Sequence, residues 1–136
     1  MVVIESIIEA IKELIDTYEG IDHTFTEVRL SYQKNAIPNP LVKTYVLLNP
    51  IKVSVIPYRD DYTSYTKQTT YKVGINIHCS ESGNPSKLLE LFSVILSALD
   101  DSTYYKPDEA VCGEIKSDSN TNSVYLPCSI QFVILS

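Results

Sequence analysis

His78 stands directly before Cys79, the first pairing in this chain that has chemistry in it. An imidazole–thiol dyad needs both side chains on one side of the backbone. The residues from Tyr71 to Cys79 alternate apolar and polar, the pattern of a strand, and strand neighbours point to opposite faces. The dyad is therefore excluded, and Cys79 continues the apolar stripe as a small core residue. His23 falls in a turn with no orienting partner in view. Asp60-Asp61 and Asp100-Asp101 bring carboxylates together. A hard cation needs several oxygens converging, so these pairs read as solvated loop charge.

Cys79, Cys112 and Cys128 are odd in number and widely spaced, without CxxC or Cys/His spacing. That disfavours zinc and predicts reduced thiols, with Cys79 and Cys128 inaccessible on apolar strand faces. The glycines are Gly20, Gly74, Gly83 and Gly113, too scattered to build a loop that cradles phosphate. Neither a nucleophile elbow nor a Walker pattern is present. The sequence thus predicts no catalytic, cofactor-binding or metal-binding residue, and a protein that is not an enzyme. The stretch Tyr58-Arg59-Asp60-Asp61-Tyr62-Thr63-Ser64-Tyr65 carries a different chemistry. Tyrosine and arginine supply contact area with a polar handle, which makes Tyr58, Arg59, Tyr62 and Tyr65 candidates for a protein interface.

The elements that position these residues follow from periodicity. Ile4, Ile7, Ile8, Ile11, Leu14, Ile15 and Tyr18 fall on one stripe of an opening helix, with Gly20 as its stop signal. A strand is predicted over 25–33 and a second over 43–56, interrupted at Asn49-Pro50 by a bulge, a bend or an edge position. Pro38 and Pro40 break the segment between them. Residues 58–70 read as a polar, tyrosine-rich piece before the strongest strand, 71–79. Asn84 and Pro85 open a second helix carrying Leu88, Leu89, Leu91, Phe92, Ile95, Leu96 and Leu99, an apolar arc wide enough to be well buried. A strand over 111–116, a loop over 117–123 and a final strand from Val124 to Ile134 complete the chain. The expectation is an α+β fold, a mainly antiparallel sheet of about five strands with two packed helices, in the order α-β-β-β-α-β-β.

At 136 residues, 44% of them hydrophobic and 21% charged, the chain has the size and composition of one domain, 1–136. Its net charge of −6 and the lack of any Lys/Arg cluster argue against generic nucleic-acid binding. Glu5 interrupts the opening apolar run, and no stretch has the roughly 20 apolar residues of a membrane span, so the reading is soluble and intracellular.

An amphipathic helix, strands, an alternating strand turning sharply into a helix and a closing hairpin together resemble the phage tail terminator family. The residues that carry the likeness are Tyr71 to Cys79, the turn Glu81-Ser82-Gly83-Asn84-Pro85, the helix Ser86 to Leu99, Glu114-Ile115-Lys116 and Ser129 to Ile134. The likeness is one of order and pattern over nearly the whole chain. It implies a homo-hexameric ring that caps the tail tube, stops its polymerisation and joins tail to head or collar. The partners implied are the chain's own copies, the tube protein, and the sheath and head–tail connector proteins, with no membrane, no specific nucleic acid and no cofactor. The location implied is the host cytoplasm during assembly and then the virion or a phage-tail-like particle. Two other readings remain: a stand-alone adaptor using the tyrosine-rich segment, and a small metal-dependent nuclease using Asp60 and Asp61.

Overall fold

The apolar stripe of the opening segment winds into α1, Ile4–Thr17, and buries Ile7, Ile8, Ile11 and Ile15. Lys12 donates to Asp16 across one turn of its exposed side at 2.5 Å, a pairing that contributes about 0.2–0.5 kcal/mol. The helix ends at Thr17, before the expected stop at Gly20. That glycine does not take the left-handed conformation. A Cβ there would lie 2.7 Å from Cε2 of the Tyr18 ring, so that half-buried side chain would have to shift. The computed structural model describes residues 4–32, 43–59, 65–80, 86–120 and 122–135. Asn84 and Pro85 lie outside them, as do Pro38 and Pro40.

The remaining elements are β1 (Thr26–Leu30), β2 (Thr44–Arg59), β3 (Tyr65–Ser80), α2 (Ser86–Asp100), β4 (Glu109–Cys112), β5 (Lys116–Asp118) and β6 (Ser123–Leu135). They form one sheet in the order β1-β2-β3-β6-β4, with β5 also paired to β6. The α+β class and the mainly antiparallel sheet are as expected. Only β1 and β2 run parallel among the described pairs.

The strands number six rather than five. Where one strand over 111–116 was expected, β4 ends at Cys112 opposite Cys128 and β5 starts at Lys116 opposite Tyr125. Residues 113–115 therefore face only residues 126–127, and the extra residue breaks the ladder. The segment 65–70, read as part of a polar piece ahead of the strand, is the first part of β3. Tyr65 to Lys67 pair with β2 alone, and from Gln68 the strand is clamped on both sides, with Thr69 opposite Val55 on β2 and Ile134 on β6.

Along β3, Tyr71, Val73, Ile75, Ile77 and Cys79 face the helices and are buried. They meet Val46 and Leu48 of β2 and Leu126, Cys128, Ile130 and Phe132 of β6 in one core with the α1 isoleucines and with Leu88, Phe92, Ile95 and Leu99 of α2. The Tyr71 and Phe132 rings stack at 5.5 Å, and Tyr105 meets Phe132 edge-on at 5.8 Å. The apolar arc of α2 is narrower than its sequence suggests, because Leu89 is 55% exposed. Both helices contact the sheet and each other, and the opposite sheet face has no described layer over it.

The expected irregularity at Asn49-Pro50 is a β-bulge, a register shift between Pro50 and Lys52. Hydrogen bonds fix the direction of the backbone there. The Ser31 N–H donates to the Leu48 carbonyl and the Thr44 N–H to the Phe25 carbonyl, both at 2.9 Å. Residues 44, 46, 48 and 50 of β2 thus turn their polar groups toward β1, and Pro50 lacks its N–H where β1 has already ended.

Two truncations separate the core from its margin. Ile11→Ala, at a fully buried site, is expected to lower stability by about 2–5 kcal/mol. Leu89→Ala is expected to stay within about 0.5 kcal/mol of the parent chain. Urea unfolding of the two variants checks the assignment, and equal losses would mean that the buried arc of α2 is misplaced.

Candidate functional site

The interface candidates lie at the far end of the β2–β3 hairpin. Tyr58 and Arg59 end β2, Tyr65 begins β3, and the register pairs Tyr58 with Thr66 and Arg59 with Tyr65. The strands thus bring three of the four candidates together at one end of a ladder that starts at Tyr45 and His78. Tyr62 lies outside the described residues, as do Asp60 and Asp61.

This hairpin outruns the strand beside it. β1 pairs with β2 only from Thr44 to Leu48, and among the described residues no strand lies beside the rest of β2. After the bulge, Val53 stands opposite Tyr71, on the helix-side face that Leu48 and Ile75 share. Val53, Val55 and Pro57 therefore turn their backbone groups outward, as Leu48 does. Val53 is 39% exposed, Val55 40% and Ile56 50%. Such an edge is a ready template for another strand. Pro50 and Pro57 offer no N–H on that side, so the edge presents those of Val53 and Val55 between them.

On the uncovered face, the even-numbered side of β3 holds a cluster that the sequence did not reveal. His78 is 5% exposed and stacks on Tyr125 of β6, ring centroids 4.9 Å apart at 20°. Its Nδ1 lies 3.3 Å from the Ser123 hydroxyl. Tyr45, opposite His78 on β2, carries the Arg29 guanidinium 5.6 Å above its ring. Ser123 has no exposed surface, so its hydroxyl is not offered to a substrate. The cluster ties β2, β3 and β6 together. Only the cross-strand register brings these residues into contact, and that register was not readable from alternation within one strand. His23, for its part, hydrogen-bonds through Nε2 to the Tyr18 carbonyl at 2.9 Å, just past the end of α1.

The burial of the thiols is as expected, and the strand register adds a contact between two of them. Cys79 and Cys128 are buried, and Cys112 is half-buried. Cys112 sits directly opposite Cys128, with the two sulfurs 3.2 Å apart. Burial, followed by the hydrogen bond and charge of the Cys112 thiol, pushes the Cys128 thiol far up, and burial alone raises Cys79. Both are held in the unreactive protonated form.

A cleft of about 580 Å³ opens between the end of α1 and the start of α2, where Ile21, Phe25, Leu88, Leu91 and Cys79 meet Lys87. Asp100 and Asp101 are exposed at the end of α2. Among the described residues, no group of three or more His, Cys, Asp or Glu side chains converges as a metal site. None of the described helices is long and apolar enough to cross a membrane. No protein-family model matches the chain, and no curated protein is significantly similar to it.

Two measurements probe these groups. Under native conditions iodoacetamide should modify Cys112 well before Cys79 or Cys128, and Cys112→Ser should remove the fast phase. Rapid modification of Cys79 and Cys128 would contradict the strand faces. The second concerns His78, which burial holds below its ordinary value of 6.5, against a smaller opposing pull from Asp118. The unfolded chain then binds the proton more readily, so stability is full above the unfolded value and falls as pH drops from there through the folded one. A plot of Tm against pH should slope downward below about pH 6.5, less steeply in His78→Gln. Identical slopes would remove His78 from the acid sensitivity.

Proposed function

We propose that this chain is a structural assembly protein of the tail-terminator type. It forms a ring of its own copies that caps a tail tube, halts tube growth and joins the tail to the head or collar. The single observation that most supports the reading is the β2–β3 hairpin, half of whose outer side has no described strand beside it and exposes Val53, Val55 and Ile56. A subunit with an edge of that length is completed by another polypeptide, since strand addition satisfies both the backbone groups and the alternate side chains. The uncovered sheet face is a second surface of the same kind, carrying half-buried Leu47, Pro127 and Val133. The partners in this reading are further copies, the tube protein beneath, and the sheath and connector proteins.

Tyr58, Arg59, Tyr62 and Tyr65 are then the contact residues at the hairpin end, toward the ring neighbour or the tube. Truncating an interface tyrosine can cost on the order of 2 kcal/mol of association. A variant with Tyr62→Ala and Tyr65→Ala should keep the parent Tm and lose its ability to cap. The assay adds purified protein to growing tube protein and follows tube length by electron microscopy. Capping predicts short, uniform tubes with a ring at one end for the parent and long, heterogeneous tubes for the variant. Tubes that grow equally with and without the parent protein would overturn the reading.

A further inference from the structure

We propose that copies of this chain join side by side by strand pairing, the open edge of β2 in one copy receiving β4 of the next. The inference rests on the ring reading above and names the lateral contact within that ring.

The first support is the match between the two edges. β4 lies at the end of the sheet opposite β1 and β2. The Gly113 N–H donates to the Pro127 carbonyl at 2.8 Å, which fixes the direction of the β4 backbone. By strand alternation Val111 and Glu109 also face β6, and Ala110 and Cys112 turn their N–H and C=O groups outward. β4 thus offers two outward residues, and so does β2, in Val53 and Val55. Pairing Val53 with Cys112 and Val55 with Ala110 uses all four, and the prolines at 50 and 57 delimit a window of that length. All four side chains stand on the helix-side face, since Cys112 is opposite Cys128 and Ala110 opposite Ile130. The pairing therefore continues both faces of the sheet across the seam.

The second support is direction. β2 is antiparallel to β3, β3 to β6, and β6 to β4. Within one copy β2 and β4 therefore run in opposite senses. A neighbour in the same orientation presents its β4 antiparallel to β2, and one unlike-edge contact repeated from copy to copy is what closes a ring.

The third support is charge. From Ile51 to Arg59 the chain has Lys52 and Arg59 and no acid, whereas from Asp108 to Glu114 it has Asp108, Glu109 and Glu114 and no base. Lys52 also stands directly opposite Lys72, an unfavourable like-charge pair on the uncovered face. Among the described residues neither lysine is in an ion pair. In the register above, Lys52 comes opposite Gly113 of the neighbouring copy, so the seam sets no further base against it.

Two proline variants test the seam. The N–H groups of Val55 and Ala110 point away from their own sheet, so Val55→Pro and Ala110→Pro remove no hydrogen bond within a copy. Each variant alone should be monomeric by sedimentation with a Tm near the parent's, while the parent assembles. Mixed together, the two should form a 1:1 dimer and nothing larger, because each supplies the edge that the other retains. Where a proline variant fails to fold, cross-linking decides instead. A chain carrying both Val55→Cys and Ala110→Cys should form disulfide-linked multimers under mild oxidation, and neither single variant should do so to the same extent. Association of Ala110→Pro by itself to the parent's extent would overturn the proposal, since β4 would then be dispensable. If the parent forms rings and both proline variants form them equally well, the seam lies elsewhere and the ring reading stands. A parent chain that is monomeric at its highest soluble concentration and on tube ends overturns both.

Discussion

The structure depends on β3 being a strand with a partner along each side and two different faces. From Gln68 to His78 its hydrogen-bonding sides are taken by β2 and β6, so that stretch of backbone is satisfied within the sheet. Its odd-numbered residues from Tyr71 to Cys79 are buried against two helices, which fixes register, because a slip by one residue would bring Lys72, Asn76 and His78 into the core. The positions of α1 and α2 follow from that face. The direction of every outward-pointing group on β2 and β4 follows from the same alternation, transmitted strand by strand. Hydrogen bonds at opposite ends of the sheet, Ser31 to Leu48 and Gly113 to Pro127, give mutually consistent directions for β3 and β6.

With both helices on one side, the other face keeps a composition intermediate between core and surface. His78, Tyr125, Tyr45 and Arg29 make up one part of it. Ile51 makes up another, lying over Gly74 so closely that a Cβ there would come within 3.3 Å of its Cδ1. Side chains on this face therefore cover one another across strands where no described element does. Residues such as His78 can be almost fully buried there without belonging to the main core.

The fold was legible where one period ran uninterrupted. The isoleucines of α1 and the alternation of β3 and β6 are each sufficient to define an element and its buried side. The sequence failed where structure depends on a partner strand. Tyr65 to Thr70 is polar enough to pass for loop, yet β2 and β6 hold it as strand. The single extra residue between β4 and β5 is visible only once Cys112 and Lys116 are matched to β6. Leu89 extends the apolar run of α2 without reaching the core. The candidate site was half legible. Residue type singled out Tyr58, Arg59 and Tyr65, and topology places them at a hairpin end. The outward edge between Pro50 and Pro57 required hydrogen-bond directions. The contact between Cys112 and Cys128 required register.

Those two prolines also govern which strands the outer edge of β2 can accept. An open edge of apolar residues is indiscriminate when every second residue can donate, because any extended chain of any length finds a continuous ladder. Here the run of donors is two residues long and has a carbonyl without a matching N–H at each end. A long intruding strand leaves its own carbonyls unanswered beyond that run, and each such group, if desolvated, costs about 1–3 kcal/mol. A strand that ends where the run ends incurs no such loss. The edge therefore discriminates by the length of its visitor, which makes it a poor seed for fibres.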